Sequence, residues 1–174
     1  FVLRPGADTL AQIRHRHFRS LQGIAPIPGQ QAFIVADYSH GLLRVDPASG
    51  TVDRLRDAPG STTLGIDGLT WYDGTIIAVQ NGVQAPRVIR LTLNATHTAV
   101  DSFRVIDRQP ELADEPTIGT VWGGDYVYVA NSQWEKYDET GTRKPGTALA
   151  PTRLLCIPLA QPVAGRNGTR KTAS

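Results

Sequence analysis

Three stretches of this chain follow one order of short elements, and an internal repeat constrains a fold more tightly than any bulk property does. They are "GIAPIPGQQAFIVADYSHGLLRVDPASGTVDRLR" from Gly23, "GLTWYDGTIIAVQNGVQAPRVIRLTLNATHTAVDSFRVI" from Gly68, and "GTVWGGDYVYVANSQW…RLLCIPL" from Gly119. Each opens on glycine and a short apolar run, then turns tightly at Pro28-Gly29, Asp73-Gly74 or Gly123-Gly124. A second run follows, "AFIVA", "TIIAVQ" or "YVYVA", ending on Asp37, Asn81 or Asn131, and a variable loop leads to a third: "GLLRVD", "RVIRLTL" or "RLLCIPL". The first two copies add a fourth run, "TVDRLR" or "AVDSFRVI".

Repeat starts 45 and 51 residues apart, with four strand-like runs per unit and no long helical pattern, predict an all-β chain. The predicted architecture is a β-propeller of four-stranded antiparallel blades. A β-sandwich also has short strands and many turns, but it does not repeat one four-strand order. The expected boundaries are 1–17 for the closing strands of one blade, 18–57 and 58–107 for two full blades, and 108–159 for an incomplete last blade. Residues 160–174 read as a flexible polar tail. Blades bury their faces only against neighbours, so about three of them are expected to be part of a six-bladed ring. The missing blades would come from the same longer chain or from a second copy.

At 174 residues and 40% hydrophobic content the chain can bury a core. The net charge of +2 gives no nucleic-acid signature, and the basic residues Arg166, Arg170 and Lys171 fall in the polar tail. No run is long enough to span a membrane as a helix, and no signal-peptide pattern is present. The chain begins at Phe1 and has no methionine, so its natural N-terminus is expected to lie elsewhere and its compartment stays open. The single Cys156, inside "RLLCIPL", reads as a buried strand position. The sequons at Asn94 and Asn167 read as chance occurrences.

In a propeller the starts of the first strands and the ends of the second strands share one face. That places Gln22, Asp67 and the segment from Glu115 to Gly119 beside Asp37, Asn81 and Asn131. Converging carboxylate and amide oxygens suit a hard cation. Equally, short polar residues at strand ends satisfy turn backbones, which is the expected role of Asp37, Asn81 and Asn131. A channel-lining carboxylate such as Asp67 needs a partner or a cation. The long loop from Asn131 to Thr152 carries Trp134 and Tyr137, aromatic rings suited either to stacking on a ligand or to packing. His15 and His17 are expected on an exposed outer strand, and Ser39 and His40 with Asp37 match a triad by composition only. Nothing matches a phosphate loop.

The repeats from Gly23 to Leu159 resemble the senescence marker protein, gluconolactonase and luciferin-regenerating enzyme family of six-bladed propellers. The best match is "IDGLTWYDGTIIAVQNGVQAPRVIRL", followed by "GTVWGGDYVYVANS". Asp67 stands where the family places a metal-binding aspartate before glycine. Gln22 stands where it places an asparagine, a departure, and the family's other ligands would lie upstream of Phe1. The resemblance implies hydrolysis of a lactone or ester with a divalent cation, calcium above others, held by Asp67. Gln22, Asn81, Glu115, Asn131 and Trp134 would contact a small-molecule substrate, and no base is assigned. The residues alone leave a second reading open: a non-catalytic propeller that binds a small ligand or a protein through its channel face.

Overall fold

The computed structural model describes residues 1–108 and 111–159. The expectations for the tail, including Asn167, Arg166, Arg170 and Lys171, fall outside the described residues. Three antiparallel sheets follow one another along the chain. The first has the order β1 (Leu21–Pro26), β2 (Phe33–Asp37), β3 (Gly41–Val45) and β4 (Val52–Arg54). The second has β5 (Ile66–Tyr72), β6 (Thr75–Gln80), β7 (Arg87–Leu93) and β8 (Val100–Asp107). In the third, β10 (Asp125–Val129) lies between β9 (Gly119–Trp122) and β11 (Leu154–Pro158). A short 3₁₀ turn, Trp134–Lys136, interrupts the long loop before β11. Among the described residues no helix is long and apolar enough to cross a membrane.

Local chemistry explains the hairpins. Asp73 and Gly74 both take positive φ, 44° and 71°, as a two-residue turn of the type that matches strand twist requires. Gly123 and Gly124 do the same at 60° and 91°. Across the Asp73-Gly74 turn Tyr72 pairs with Thr75, and the ladder runs back to Ile66 opposite Gln80.

The second sheet is buried on both faces, which is why "TIIAVQ" reads as a continuous apolar run rather than an alternation. Ile76 and Ala78 point into a core shared with Ala25, Ile34, Ala36 and Leu42 of the first sheet. Ile77, Val79 and Val88 point the other way, onto Tyr126, Tyr128 and Ile157 of the third. Fully burying one such aliphatic side chain stabilises by roughly 1.5–3 kcal/mol, so the two cores hold the stack together. A backbone stitch adds to them: Arg56 N–H donates to Thr98 O at 3.1 Å and Val100 N–H to Arg56 O at 2.8 Å.

The inner strands approach so closely that only glycine fits between them. A Cβ on Gly23 would lie 2.5 Å from Leu69 N and 2.6 Å from Asp67 O, and one on Gly68 would lie 2.8 Å from Thr117 O. The glycine that opens each of the first two repeats is therefore a contact between sheets.

Several local expectations are corrected. Within residues 1–17 the chain forms one antiparallel bridge, Val2 to Ala11, and no strand; Ile13 and Phe18 pack on Val35, Leu43, Val45 and Val52 instead. His15 and His17 are half-buried, with ring centroids 4.9 Å apart, and His17 lies 5.5 Å from His40. Cys156 is exposed, because it shares the parity of Leu154 while Leu155 and Ile157 face the second sheet.

Candidate functional site

Ladder register decides which polar residues are equivalent. Leu21 pairs with Asp37 and Ile66 with Gln80, each just before a bulge. Asp37 therefore corresponds to Gln80, not to Asn81, and Gln22 corresponds to Asp67. The first pair does structural work. Asp37 accepts from the N–H groups of Arg19 at 2.7 Å and Ser20 at 2.8 Å, and Gln80 donates to Thr62 O and Leu64 O at 2.9 and 2.7 Å. Each thus ties the segment entering the inner strand to the end of the second strand.

One residue further on, the side chains meet across sheets. Asn81 Nδ2 donates to Asp67 Oδ2 at 3.0 Å and to Pro116 O at 2.8 Å, while Asn81 Oδ1 accepts from the Tyr38 hydroxyl at 3.0 Å. Tyr38 follows β2, Asp67 sits at the bulge of β5, Asn81 follows β6 and Pro116 precedes β9, so all three sheets contribute. Gly82 makes room for Tyr38, since a Cβ there would lie 2.6 Å from the phenol oxygen.

Glu115 stands on the same side of the molecule, in the left-handed region at φ 61°. Its Oε2 accepts from the Trp134 N–H at 2.6 Å and its carbonyl accepts from the Ser132 hydroxyl at 2.9 Å, so it pins the start of the long loop. The Trp134 ring is 65% exposed.

The electrostatics of this end are acidic. Burial raises the Asp67 pKa, partly offset by the hydrogen bond from Asn81. No ion pair reaches Asp67 among the described residues. Burial also raises Glu115, and the neighbouring Glu135 carboxyl adds to the rise. Tyr38 is pushed up by burial and then by the charges of Asp67 and Glu115.

The remaining expected residues do not join this cluster. Gln22 is exposed and donates to Ser20 Oγ at 3.2 Å. Asn131 is buried and spends both ends of its amide on the long loop, donating to Pro151 O at 3.0 Å and accepting from Arg153 N–H at 2.6 Å. Two contributors were not singled out from sequence. Tyr38 is one; the other is Gln133, buried at φ 61°, which holds Ala150 by both N–H and C=O. The phenol's position directly after a second-strand end was the available signal for Tyr38.

The donor set has the chemistry of a hard-cation site in part. Asp67 Oδ2 and Pro116 O converge on one point, where the Asn81 amide now serves both. Two oxygens are fewer than the six to eight that calcium takes. Among the described residues no three His, Cys, Asp or Glu side chains gather for a metal.

Stacked antiparallel sheets of three or four strands with their inner strands in contact define a propeller-type fold, and the Tyr38–Asn81–Asp67 network marks one end of those strands. Comparison with solved structures agrees: the PQQ-bound aldose sugar dehydrogenase of Streptomyces coelicolor superposes with a TM-score of 0.54. The two share 15% identity over 72% of this chain and 42% of that one, a likeness of fold. The chain thus spans less than half the length of this neighbour. Comparison with protein families and with curated proteins finds no match.

Proposed function

We propose that this chain is part of a gluconolactonase-like propeller that binds a small lactone or ester at the Asp67 end of its inner strands and hydrolyses it. The observation that carries this reading is Asp67 itself: a half-buried carboxyl with a raised pKa, one amide donor and no cationic partner among the described residues. Such a group is poised either to take a proton or to hold a cation.

Each neighbour has a defined part. Tyr38 fixes Asn81 by occupying its carbonyl, and Asn81 in turn presents its N–H₂ to Asp67, so the carboxylate is held in one orientation. Asp67 takes the proton of the water that attacks the carbonyl and returns it to the leaving oxygen as the acyl–oxygen bond breaks, and the exposed Trp134 ring covers the apolar face of the ligand. Glu115 acts on the loop, holding Trp134 by its backbone.

A second reading, binding without turnover, is favoured by Gln22. It occupies the register position of Asp67 in the preceding sheet, yet it lies exposed and bonded to Ser20, away from the Asp67 network. Asp67→Asn separates the readings when lactone hydrolysis and lactone-induced thermal stabilisation are measured together. Loss of hydrolysis with folding retained supports catalysis. Wild-type stabilisation without hydrolysis, abolished in the variant, selects the binding reading. Undiminished hydrolysis in Asp67→Asn would overturn the role given to this residue.

A further inference from the structure

Three of the four histidines meet beside the first sheet, outside the Asp67 hydrogen-bond network. His15 and His17 belong to the segment that Ile13 and Phe18 hold against the outer side of that sheet, and His40 lies on the turn between β2 and β3. The His17 ring is central: its centroid is 4.9 Å from that of His15 and 5.5 Å from that of His40. All three side chains are half-buried, so an ion from solvent reaches them.

Hydrogen bonding decides which ring nitrogens keep a lone pair. His40 Nδ1 lies 3.1 Å from Asp37 Oδ1, and the N–H groups around Asp37 hold its pKa below the ordinary value despite burial. An ionised carboxylate only accepts, so the neutral His40 ring carries its proton on Nδ1 and leaves Nε2 free. His15 is the reverse: its Nδ1 accepts from the His17 N–H at 3.3 Å, which puts the proton on Nε2. The His17 ring has no hydrogen bond among the described residues. Burial, followed by the charges of His15, Arg16, His40 and Arg54, lowers its pKa and favours the neutral form.

Neutral imidazoles with free lone pairs, one of them backed by a carboxylate, are ligands for a borderline dication such as zinc. Zinc bonds an imidazole nitrogen at about 2.0–2.1 Å, so two rings on one tetrahedral ion have centroids about 5 Å apart. His17 and His40 already stand near that spacing. We infer that His17 and His40 together bind one zinc-class transition-metal dication, with Asp37 as the carboxylate behind His40. No third His, Cys, Asp or Glu joins them among the described residues, so water completes the shell. The bound ion ties the segment before β1 to the β2–β3 turn. Arg16 and Arg54 oppose its charge; Asp37 offsets them, and Arg54 is drawn to Asp57 at 3.9 Å. Imidazole selects against calcium, so this site is independent of what the Asp67 end binds.

The test titrates zinc chloride into the untagged chain, read by calorimetry and by the imidazole Hε1 resonances. The expected result is one equivalent of zinc, with the His17 and His40 resonances shifting together and that of His97 unmoved. Melting temperature should rise with zinc and fall back when EDTA removes it. His17→Gln and His40→Gln should each weaken binding on the order of tenfold or more, because the remaining imidazole loses the effective concentration of a linked partner. His15→Gln keeps an acceptor for the His17 N–H and should bind as the wild type does. Circular dichroism checks that each variant folds; where one does not, the paired shifts in the wild type decide. Absence of saturable binding would overturn the inference. So would zinc that moves only one of the two rings, affinity unchanged in both variants, or a loss as large in His15→Gln.

Discussion

The Tyr38 hydroxyl donates to Asn81 Oδ1 at 3.0 Å, joining the end of the first sheet to the end of the second and leaving the Asn81 amide free to face Asp67. The Pro116 carbonyl and the Asp67 carboxylate both accept from Nδ2 and orient the amide, and the Tyr38 bond satisfies the oxygen left over.

Tyr38→Phe removes that donor and leaves Asn81 Oδ1 unpaired in a part-buried place. The expected loss is about 1 kcal/mol, read by chemical denaturation. Ligand binding or hydrolysis at Asp67 should change little, since Asp67 Oδ2 and Pro116 O still hold the N–H₂ side of the Asn81 amide.

Asp67→Asn should be neutral or stabilising at neutral pH. Asp67 has a raised pKa, so the folded state holds its proton more tightly than the unfolded state does. The cost of burying the charge is fully present above the folded pKa and gone below the unfolded value, about 3.9. The variant keeps an acceptor for Asn81 and removes the charge. Its gain in melting temperature should shrink as pH falls through that window; a loss of stability at neutral pH would show that the carboxylate is compensated after all.

Asp37 predicts the opposite slope. Burial by itself would raise its pKa, but the N–H groups of Arg19, Ser20 and Ser39 together with His40 outweigh that and hold it below the ordinary value. Its stabilisation is complete above the unfolded pKa, about 3.9, and is lost as pH falls through the lower folded one. Asp37→Ala should cost roughly 2–3 kcal/mol at neutral pH by leaving several part-buried N–H groups without their acceptor. The difference from wild type should narrow in acid, which melting curves at several pH values would reveal.

Gly23→Ala tests the inner-strand contact. Its Cβ would meet the backbone of Leu69 and Asp67, which cannot yield as a flexible side chain can. A loss of about 3 kcal/mol is expected in urea denaturation. Gly29→Ala is the control: it is strained by its positive φ of 74° but meets nothing within 4 Å, so it should cost about 1 kcal/mol.

Much of the fold was legible because its signals are local. The turn at Asp73-Gly74, the apolar run of β6 and the order of strands within each repeat depend on residues a few positions apart. The same locality misled at the ends. "FVLRPGADTLAQIRHR" resembles the closing strands of a blade, but it forms one bridge and supplies Ile13 to a neighbouring face. Cys156 sits in an apolar run and is exposed, because its burial depends on a sheet lying against β11 on that side.

By itself, then, the amino-acid sequence determined the repeat, the all-β propeller class, the hairpin turns and the candidacy of Asp67, all through spacing and alternation along the chain. Only the tertiary structure decided that Gln80 rather than Asn81 is the counterpart of Asp37, that Tyr38 completes the Asp67 network, and that Gln22 and Asn131 stand outside it. The physical reason is register. A bulge in the ladder shifts which side chains meet across neighbouring sheets, and no pattern within one strand records where its neighbour's bulge will fall.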